Sequence, residues 1–453
     1  MGQQLTICFK ERSTITFDDL HTAYLHCRVN KRQTASAQTF EREETENLTQ
    51  LVNDINNNTY TIGQSIAFIV DKPVTREIFA AAFRDRIIHH WIIDKLNPLF
   101  EKEFIYDSYS CREGRGTLFA VNRVDRFIRS CSQNYQKDTY VLKLDIRGFF
   151  MSISKDILWN KLQQFIKDKY LADDQDLMLE LVEQVVMNDC THKCYIKSPR
   201  WKWKNLPTDK SLFNRGHVGI PIGNLTSQVF ANFYLTCFDH FMKSTLGLKY
   251  YGRYVDDFFV IHNDKQFLLS LIPKVEAYLK DELHLTLHPK KRQIGHCKRG
   301  MKFVGTFLLP NRTYTDKRTK GNFYRLIAKW NRLIESRAGK NCCAFLNKEE
   351  TDHFQASFNS YCGFLRHHKT YKLRKKMYEM LSPHFAPFFV TKNDYTKIEH
   401  PQAETQRAAK NAAKIEQLRK AKGYVNNLPW PHCYYPENDP YNIGLFDVQK
   451  EYF

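Results

Sequence analysis

The sequence lacks any apolar run approaching the roughly 18 residues that a bilayer-spanning helix needs. No hydrophobic segment opens it, which points away from secretion. No internal repeat is evident. A second cysteine pair at zinc-finger spacing is also missing. Cys190-Thr191-His192-Lys193-Cys194 is the one tight cluster, and Cys342-Cys343 are adjacent and poorly placed to chelate a single ion. Scattered thiols in a long chain fit a reducing cytoplasm, with structural roles. Acidic residues are in short supply: 49 Asp and Glu stand against 68 Lys and Arg, a formal net charge of +19. Such a surface attracts polyanions by counterion release, and the 24 Tyr and 33 Phe offer stacking platforms for unpaired bases. Basic charge also suits an anionic bilayer, but with no span the expected partner is nucleic acid, not membrane. At 453 residues the chain has room for two or three domains and a substantial core.

What is present is a pair of acids inside an apolar run, Tyr250-Tyr251-Gly252-Arg253-Tyr254-Val255-Asp256-Asp257-Phe258-Phe259-Val260-Ile261. Apolar residues on both flanks predict a β-hairpin with Asp256-Asp257 at its turn. Asp-Asp is also an ordinary turn dipeptide, so a third carboxylate matters. It is Asp145, near the end of a predicted strand Val141–Ile146, followed by Gly148 and then Phe149-Phe150. Buried carboxylates without an adjacent cation call for a hard divalent metal, and Mg2+ is held by one or two carboxylates plus substrate phosphates. Three such acids on adjoining strand ends make the arrangement for two-metal phosphoryl transfer. Two Mg2+ ions are expected, with Mn2+ as a substitute, on Asp145, Asp256 and Asp257.

Elsewhere the pattern is mostly helical. Residues 18–60 read as helices, with Leu20, Tyr24 and Leu25 on one face and Leu48, Leu51 and Ile55 on another, around the basic stretch Arg28–Arg32. Residues 73–100 read as one helix carrying Ile78, Phe79, Phe83, Ile87, Trp91 and Leu96, its apolar stripe interrupted by Arg76, Arg84 and Arg86. Lys155–Met187 is helical. The stretch Lys197–Lys204 interleaves Trp201 and Trp203 with Lys202 and Lys204, which suits single-stranded nucleic acid or a solvated loop with packed tryptophans. Asp264–Leu283 predicts an amphipathic helix and Leu285–Ile294 a strand. Two further helices carry Phe323, Ile327, Trp330 and Ile334, then Phe354, Phe358, Tyr361 and Leu365. The tail has helix-forming composition over 402–422 with few large apolar residues, then a Trp- and Pro-containing arm over 426–440.

Tyr-Val-Asp-Asp after a strand-end Asp followed by Phe-Phe resembles the palm signature of reverse transcriptases. Gly219-Ile220-Pro221-Ile222-Gly223-Asn224-Leu225-Thr226-Ser227-Gln228 continues the resemblance. Most reverse transcriptases carry Gln-Gly-x-x-x-Ser-Pro here; Ile222 and Gln228 replace the Gln and Pro. That variant resembles the bacterial and phage diversity-generating retroelement enzymes, within the broader set of prokaryotic group II intron-like and retron-like reverse transcriptases. Further support comes from Phe83–His90, Ser108–Thr117 and Leu206–Phe213. The Val-Thr-Gly segment usual in retron enzymes is not found. The resemblance covers residues 18 to about 380. It implies an α+β right-hand polymerase: an N-terminal helical region at 1–70, fingers at 71–139, palm at 140–159, a fingers insertion at 160–216, palm with primer-grip hairpin at 217–312, thumb at 313–385, and a basic extension at 386–453. It also implies a cytoplasmic, bacterial or phage-encoded protein. Met1–Thr6 fits a loose N-myristoylation pattern, set aside because bacterial relatives lack the modifying enzyme.

The resemblance also assigns roles. Arg112, Arg115 and Gly116 correspond to the fingers loop on the incoming triphosphate. Ile146, Phe149 and Phe150 line the nucleotide site, with Phe150 under the deoxyribose as a steric gate. Ile222 and Gln228 flank nucleotide and template. Lys291 falls near the leaving pyrophosphate as a general acid, with Lys290 the alternative. Arg76, Arg84, Arg86, Lys202, Lys204, Tyr254 and Gly305 contact template or primer. The implied activity is RNA-directed DNA synthesis from dNTPs on a structured non-coding RNA through an RNA/DNA hybrid, error-prone, with an accessory protein. The alternatives are an antiphage defence enzyme making repetitive or non-templated DNA, and a catalytically dead RNA-binding scaffold, which the intact acids disfavour.

Overall fold

The computed structural model describes residues 13–401 except 30, 72–73, 214, 339–345 and 392–393. The N-terminal pattern at Met1–Thr6, Cys342-Cys343, the 402–422 helix and the 426–440 arm lie outside the described residues. The fold is α+β, in two compact units divided between His296 and Cys297.

The first unit opens with three helices, α1 (Phe17–Arg28), α2 (Ala35–Glu41) and α3 (Glu44–Asn56). A capping box starts α1: the Thr16 hydroxyl accepts from the Asp19 N–H, and the Asp19 carboxylate accepts from the Thr16 N–H. Leu20 and Tyr24 of α1 are buried, as are Leu48, Leu51 and Ile55 of α3, but Leu25 is exposed. The hairpin β1 (Ile66–Val70) and β2 (Arg76–Ala80) follows, so Ile78 and Phe79 lie on a strand rather than on the expected helix. The inward position of β2 is held by a charge: Glu77 is fully buried, accepting from Trp203 Nε1, Ser211 Oγ and the Leu212 N–H. A charged residue on the buried face hides the alternation that marks a strand.

The long α4 (Phe83–Glu103) and α5 (Thr117–Cys131) lead into β3 (Tyr140–Asp145). Then come α6 (Phe149–Ser152), α7 (Lys155–Lys169), α8 (Gln175–Met187), β4 (Tyr195–Ile196), α9 (Trp201–Lys204), α10 (Leu225–Tyr234) and α11 (Thr236–His240). The helical stretch expected over Lys155–Met187 is the pair α7 and α8. The hairpin β5 (Tyr251–Tyr254) and β6 (Asp257–His262), then α12 (Lys265–Leu283) and β7 (Gln293–His296), complete the unit. Asp264 caps α12, its carboxylate accepting from the Gln266 N–H at 2.7 Å. The strand expected over Leu285–Ile294 shortens to β7; Leu285 and Leu287 still bury their side chains, and Leu287 makes an isolated bridge to Ile146.

The central sheet runs β5-β6-β3-β7, all antiparallel, and a smaller sheet runs β2-β1-β4. One continuous apolar core joins the N-terminal helices, α4, α7, α8, α10 and α12 to the central sheet. A satellite cluster gathers Ala67, Phe79, Met151, Cys190 and Leu212, with Ile222 against it.

The second unit holds the sheet β10-β9-β8, formed by β8 (Met301–Phe303), β9 (Thr306–Leu309) and β10 (Arg312–Thr315). Its helices are α13 (Lys317–Ala338), α14 (Lys348–Leu365) and α15 (Tyr371–Glu379). Phe323, Ile327, Trp330 and Ile334 of α13 meet Phe354, Phe358 and Leu365 of α14 in a separate core, matching the apolar spacing of the sequence. Among the described residues no helix is long and apolar enough to cross a membrane.

Candidate active site

Asp145 ends β3 and pairs in register with Asp257, the first residue of β6. The Ile146 N–H donates to the Asp256 carbonyl at 3.2 Å, and the His288 N–H donates to the Asp145 carbonyl at 2.8 Å. These bonds bring the three carboxylates together at one end of the two central strands. Asp145 is buried; Asp256 and Asp257 are half-buried.

The turn that presents the acid pair is strained. Val255 has φ 54°, a left-handed conformation that a β-branched side chain rarely adopts. It is held from both sides: the Val255 N–H donates to Ser110 Oγ at 3.2 Å, and its carbonyl accepts from Arg253 Nη1 at 3.0 Å. Arg253 is itself fully buried, its guanidinium forked onto Asp239, which also accepts from the Tyr251 hydroxyl at 2.6 Å. A buried charge pair of this kind persists only when its geometry and remaining hydrogen bonds are complete. Beside it, Gly252 lies so close to Tyr109 and Phe259 that a Cβ would fall 2.3 Å from the Tyr109 hydroxyl and 2.8 Å from the Phe259 ring. Only glycine fits that strand position.

Two lysines complete the cluster. Lys291 Nζ donates to both oxygens of Asp145 at 3.0 and 2.8 Å, and Lys143 Nζ lies 2.9 Å from Asp257 Oδ2. Burial raises the pKa of Asp145, and the Lys291 bond only partly offsets it. Burial, then the charges of Asp145 and Asp257, push Asp256 up to about 7. Burial works against the charge on Lys291, but the bond to Asp145 and the three nearby carboxylates outweigh it and raise its pKa. Of Lys290 and Lys291, Lys291 is the one that reaches the acids. Among the described residues no three His, Cys, Asp or Glu side chains form a ready-made metal cage. The donor set is nonetheless three hard carboxylates at one end of the central strands, and Mg2+ takes only one or two protein carboxylates beside substrate phosphates and water. The residues fit such an ion arriving with its substrate.

Residues 72–308, just over half of the chain, match the family described as "Reverse transcriptase (RNA-dependent DNA polymerase)". The chain belongs to the reverse transcriptase family. Among curated proteins it is similar to the COX1/OXI3 intron 2 protein of Saccharomyces cerevisiae, 24% identical over 64% of this chain and 36% of that protein. It is also similar to protein YkfC of Escherichia coli, 21% identical over 52% of this chain and 64% of that one. The chain thus spans less than two thirds of the length of either relative. Among solved structures, telomerase from Candida albicans in complex with a TWJ fragment of telomeric RNA has a TM-score of 0.40 at 11% identity, covering 71% of this chain and 59% of that one. Apo telomerase from Candida tropicalis has a TM-score of 0.41 at 13% identity, covering 72% and 58%.

Around these acids, several side chains expected at the nucleotide or the template make hydrogen bonds within the fold. Arg112 is buried, with Nε and Nη2 on Glu101, Nη1 on the carbonyls of Ile105 and Ser108, and its guanidinium over Phe104. Its donors are committed to the fold. Arg115 is different: it is half-buried, stacked 4.0 Å from the Tyr106 ring centroid and 4.5 Å from that of Phe119, and its buried Nη1 has no hydrogen-bond partner among the described residues. It sits beside Gly116, the N-cap of α5, whose φ of 122° suits glycine. Ile146 and Phe149 are buried in the core. Phe150 is half-buried with its ring 5.5 Å from that of Phe149, and it stays the candidate gate.

Ile222 packs on the satellite cluster, its carbonyl accepting from the Phe79 N–H at 3.0 Å, while Gln228 Oε1 accepts from the Cys111 thiol. Arg84 pairs with Asp54 at 2.8 Å, tying α4 to α3, and Arg86 Nε donates to the Ala81 carbonyl at 2.9 Å. Arg84 thus braces α3, and Arg86 is tied to the segment that leads into α4; Arg76 is exposed. Lys202 pairs with Asp71, whereas Lys204 and Trp201 are exposed. Tyr254 is half-buried, its phenol pushed up to about 12 by burial. Gly305 lies in the second unit, at the β8–β9 turn, with φ 78°. Sequence reasoning passed over Lys143, Ser110, Arg253 and Asp239. Two of these carried a signal: Lys143 precedes Asp145 by two residues and so shares its strand face, and Arg253 is a charge in an apolar strand.

Proposed function

We propose that this chain is an RNA-directed DNA polymerase whose reaction centre is Asp145, Asp256 and Asp257. The observation that carries the reading is the register of Asp145 against Asp257, with Asp256 fastened to Ile146 and Lys291 on Asp145. The three carboxylates would hold two divalent ions, Mg2+ or Mn2+, which when bound activate a primer 3′-hydroxyl and neutralise the triphosphate. The protein's own part is positioning. Arg253 and Ser110 fix the turn, and Arg115 with the N-terminus of α5 offers donors to phosphate oxygens. Lys291 keeps its ammonium charged beside the leaving group. Phe150 offers bulk against a ribose 2′-hydroxyl. In this reading the fingers are 71–139 and 160–216, the palm 140–159 and 217–312, and a helical thumb 313–385.

The finer reading is an error-prone copier of a structured non-coding RNA, of the diversity-generating kind, working with an accessory protein. Ile222 and Gln228 support it, because Ile222 offers no side-chain hydrogen bond where most family members carry Gln. The net charge of +19 supports a tight, salt-sensitive RNA complex. The test is extension of a DNA primer on a defined RNA template with four dNTPs and Mg2+ or Mn2+. Product complementary to the RNA is expected. No extension in either metal, or product whose sequence ignores the template, overturns the RNA-directed reading; the second result favours a defence enzyme making non-templated DNA.

A further inference from the structure

Lys143 belongs to β3 and precedes Asp145 by two residues, so both side chains leave the same face of the strand. Lys143 is opposite Phe259 and Asp145 opposite Asp257, which makes Lys143 and Asp257 diagonal cross-strand neighbours. Their side chains are 20% and 27% exposed, and Nζ approaches Oδ2 to 2.9 Å. Lys291 covers Asp145 in the same way but is more exposed, at 56%. Each of the two acids in register thus has its own ammonium, while Asp256 has no ion-pair partner among the described residues. A lysine anchored in a central strand cannot leave with its backbone. Its four-carbon stem, however, lets the ammonium swing between neighbouring oxygens.

We propose that Lys143 is an internal counter-ion for Asp257. It neutralises that carboxylate while the nucleotide site is empty, weakening the affinity of the acids for a lone divalent cation. It lets go when a metal-chelated triphosphate arrives, its ammonium then contacting a phosphate oxygen of that nucleotide. Metal and nucleotide binding are thereby coupled, since the group that one must displace is the group that the other engages. The inference rests on the reading of the acids as a metal centre, and adds to it a residue outside the three ligands and Lys291.

The test is Mn2+ binding to the full chain without nucleotide or primer, followed through the electron paramagnetic resonance signal of free Mn2+, with thermal melts checking each variant's fold. Lys143→Met is expected to bind Mn2+ roughly twofold to fivefold more tightly than wild type, the order of magnitude of a partly exposed ion pair. Lys143→Arg keeps the wild-type affinity, and Asp257→Asn added to Lys143→Met abolishes the gain. Lys143→Gln serves if the methionine variant fails to fold. Equal or weaker Mn2+ binding by the neutral variants overturns the counter-ion role and leaves the metal centre standing. No saturable Mn2+ binding by any variant, even with dATP present, overturns the metal centre and this inference with it.

Discussion

Removing Asp239 should damage the protein far more than removing Asp239 and Arg253 together. Both side chains are fully buried, and Arg253 directs Nε and Nη2 to Asp239, Nη1 to the Val255 carbonyl, and Nη2 also to Ser108 Oγ. Asp239→Ala leaves a guanidinium with no counter-charge in the interior. Breaking a buried pair from one side costs about 3–5 kcal/mol. In Asp239→Ala/Arg253→Met the stranded charge is gone and the methionine stem fills much of the same volume, so a large part of that loss returns. The lost Val255 contact still costs about 1 kcal/mol. Urea unfolding of wild type, both single variants and the double variant gives the coupling energy directly. A coupling of about 2 kcal/mol or more is expected. The double variant should regain stability but not activity, because the turn carrying Asp256 has lost the donor that holds its left-handed residue. A coupling indistinguishable from zero, or full polymerase activity in the double variant, refutes the claim that this pair supports the turn.

Three further outcomes follow from the same geometry. In metal-free protein, the raised pKa of Asp256 stabilises the fold fully below the unfolded carboxylate value, and that contribution is lost as pH rises through about 7. Every tenfold gain in proton affinity on folding is worth about 1.4 kcal/mol, so melting in EDTA should fall between about pH 5 and pH 8 more in wild type than in Asp256→Asn; parallel curves contradict a raised Asp256. Phe150→Ala should narrow the preference for deoxynucleotides over ribonucleotides by roughly tenfold in single-nucleotide kinetics, and an unchanged ratio places the gate elsewhere. Ile222→Gln should lower the error rate on one RNA template by a few-fold, as about 1 kcal/mol of added hydrogen bonding allows. Identical error spectra remove the physical basis of the error-prone reading.

The sequence was most legible where side-chain pattern and local structure agree. The acid pair falls at a hairpin turn because apolar strands flank it, and α13 and α14 bury the residues that their helical spacing selects. It was least legible where a polar group is buried against a partner distant in the chain. Glu77 occupies the inward position of β2 because Trp203, Ser211 and Leu212 satisfy it, and no local pattern announces that. Arg112 resembled a phosphate-binding arginine, yet Glu101 and two carbonyls of the adjoining segment absorb its donors. Lys143 looked like a polar residue of an ordinary strand until the register of β3 against β6 set it beside Asp257.

The central claim is that Asp145, Asp256 and Asp257 form the reaction centre. Its most direct test is single-turnover incorporation of one dNTP on a primed RNA template by wild type and by Asp256→Ala/Asp257→Ala, with RNA affinity measured on the same preparations. The double variant should lose incorporation by at least roughly a thousandfold, the scale of removing a main electrostatic contributor to a transition state, while binding the RNA as tightly as wild type. Incorporation at the wild-type rate by a folded, RNA-binding double variant would contradict the account.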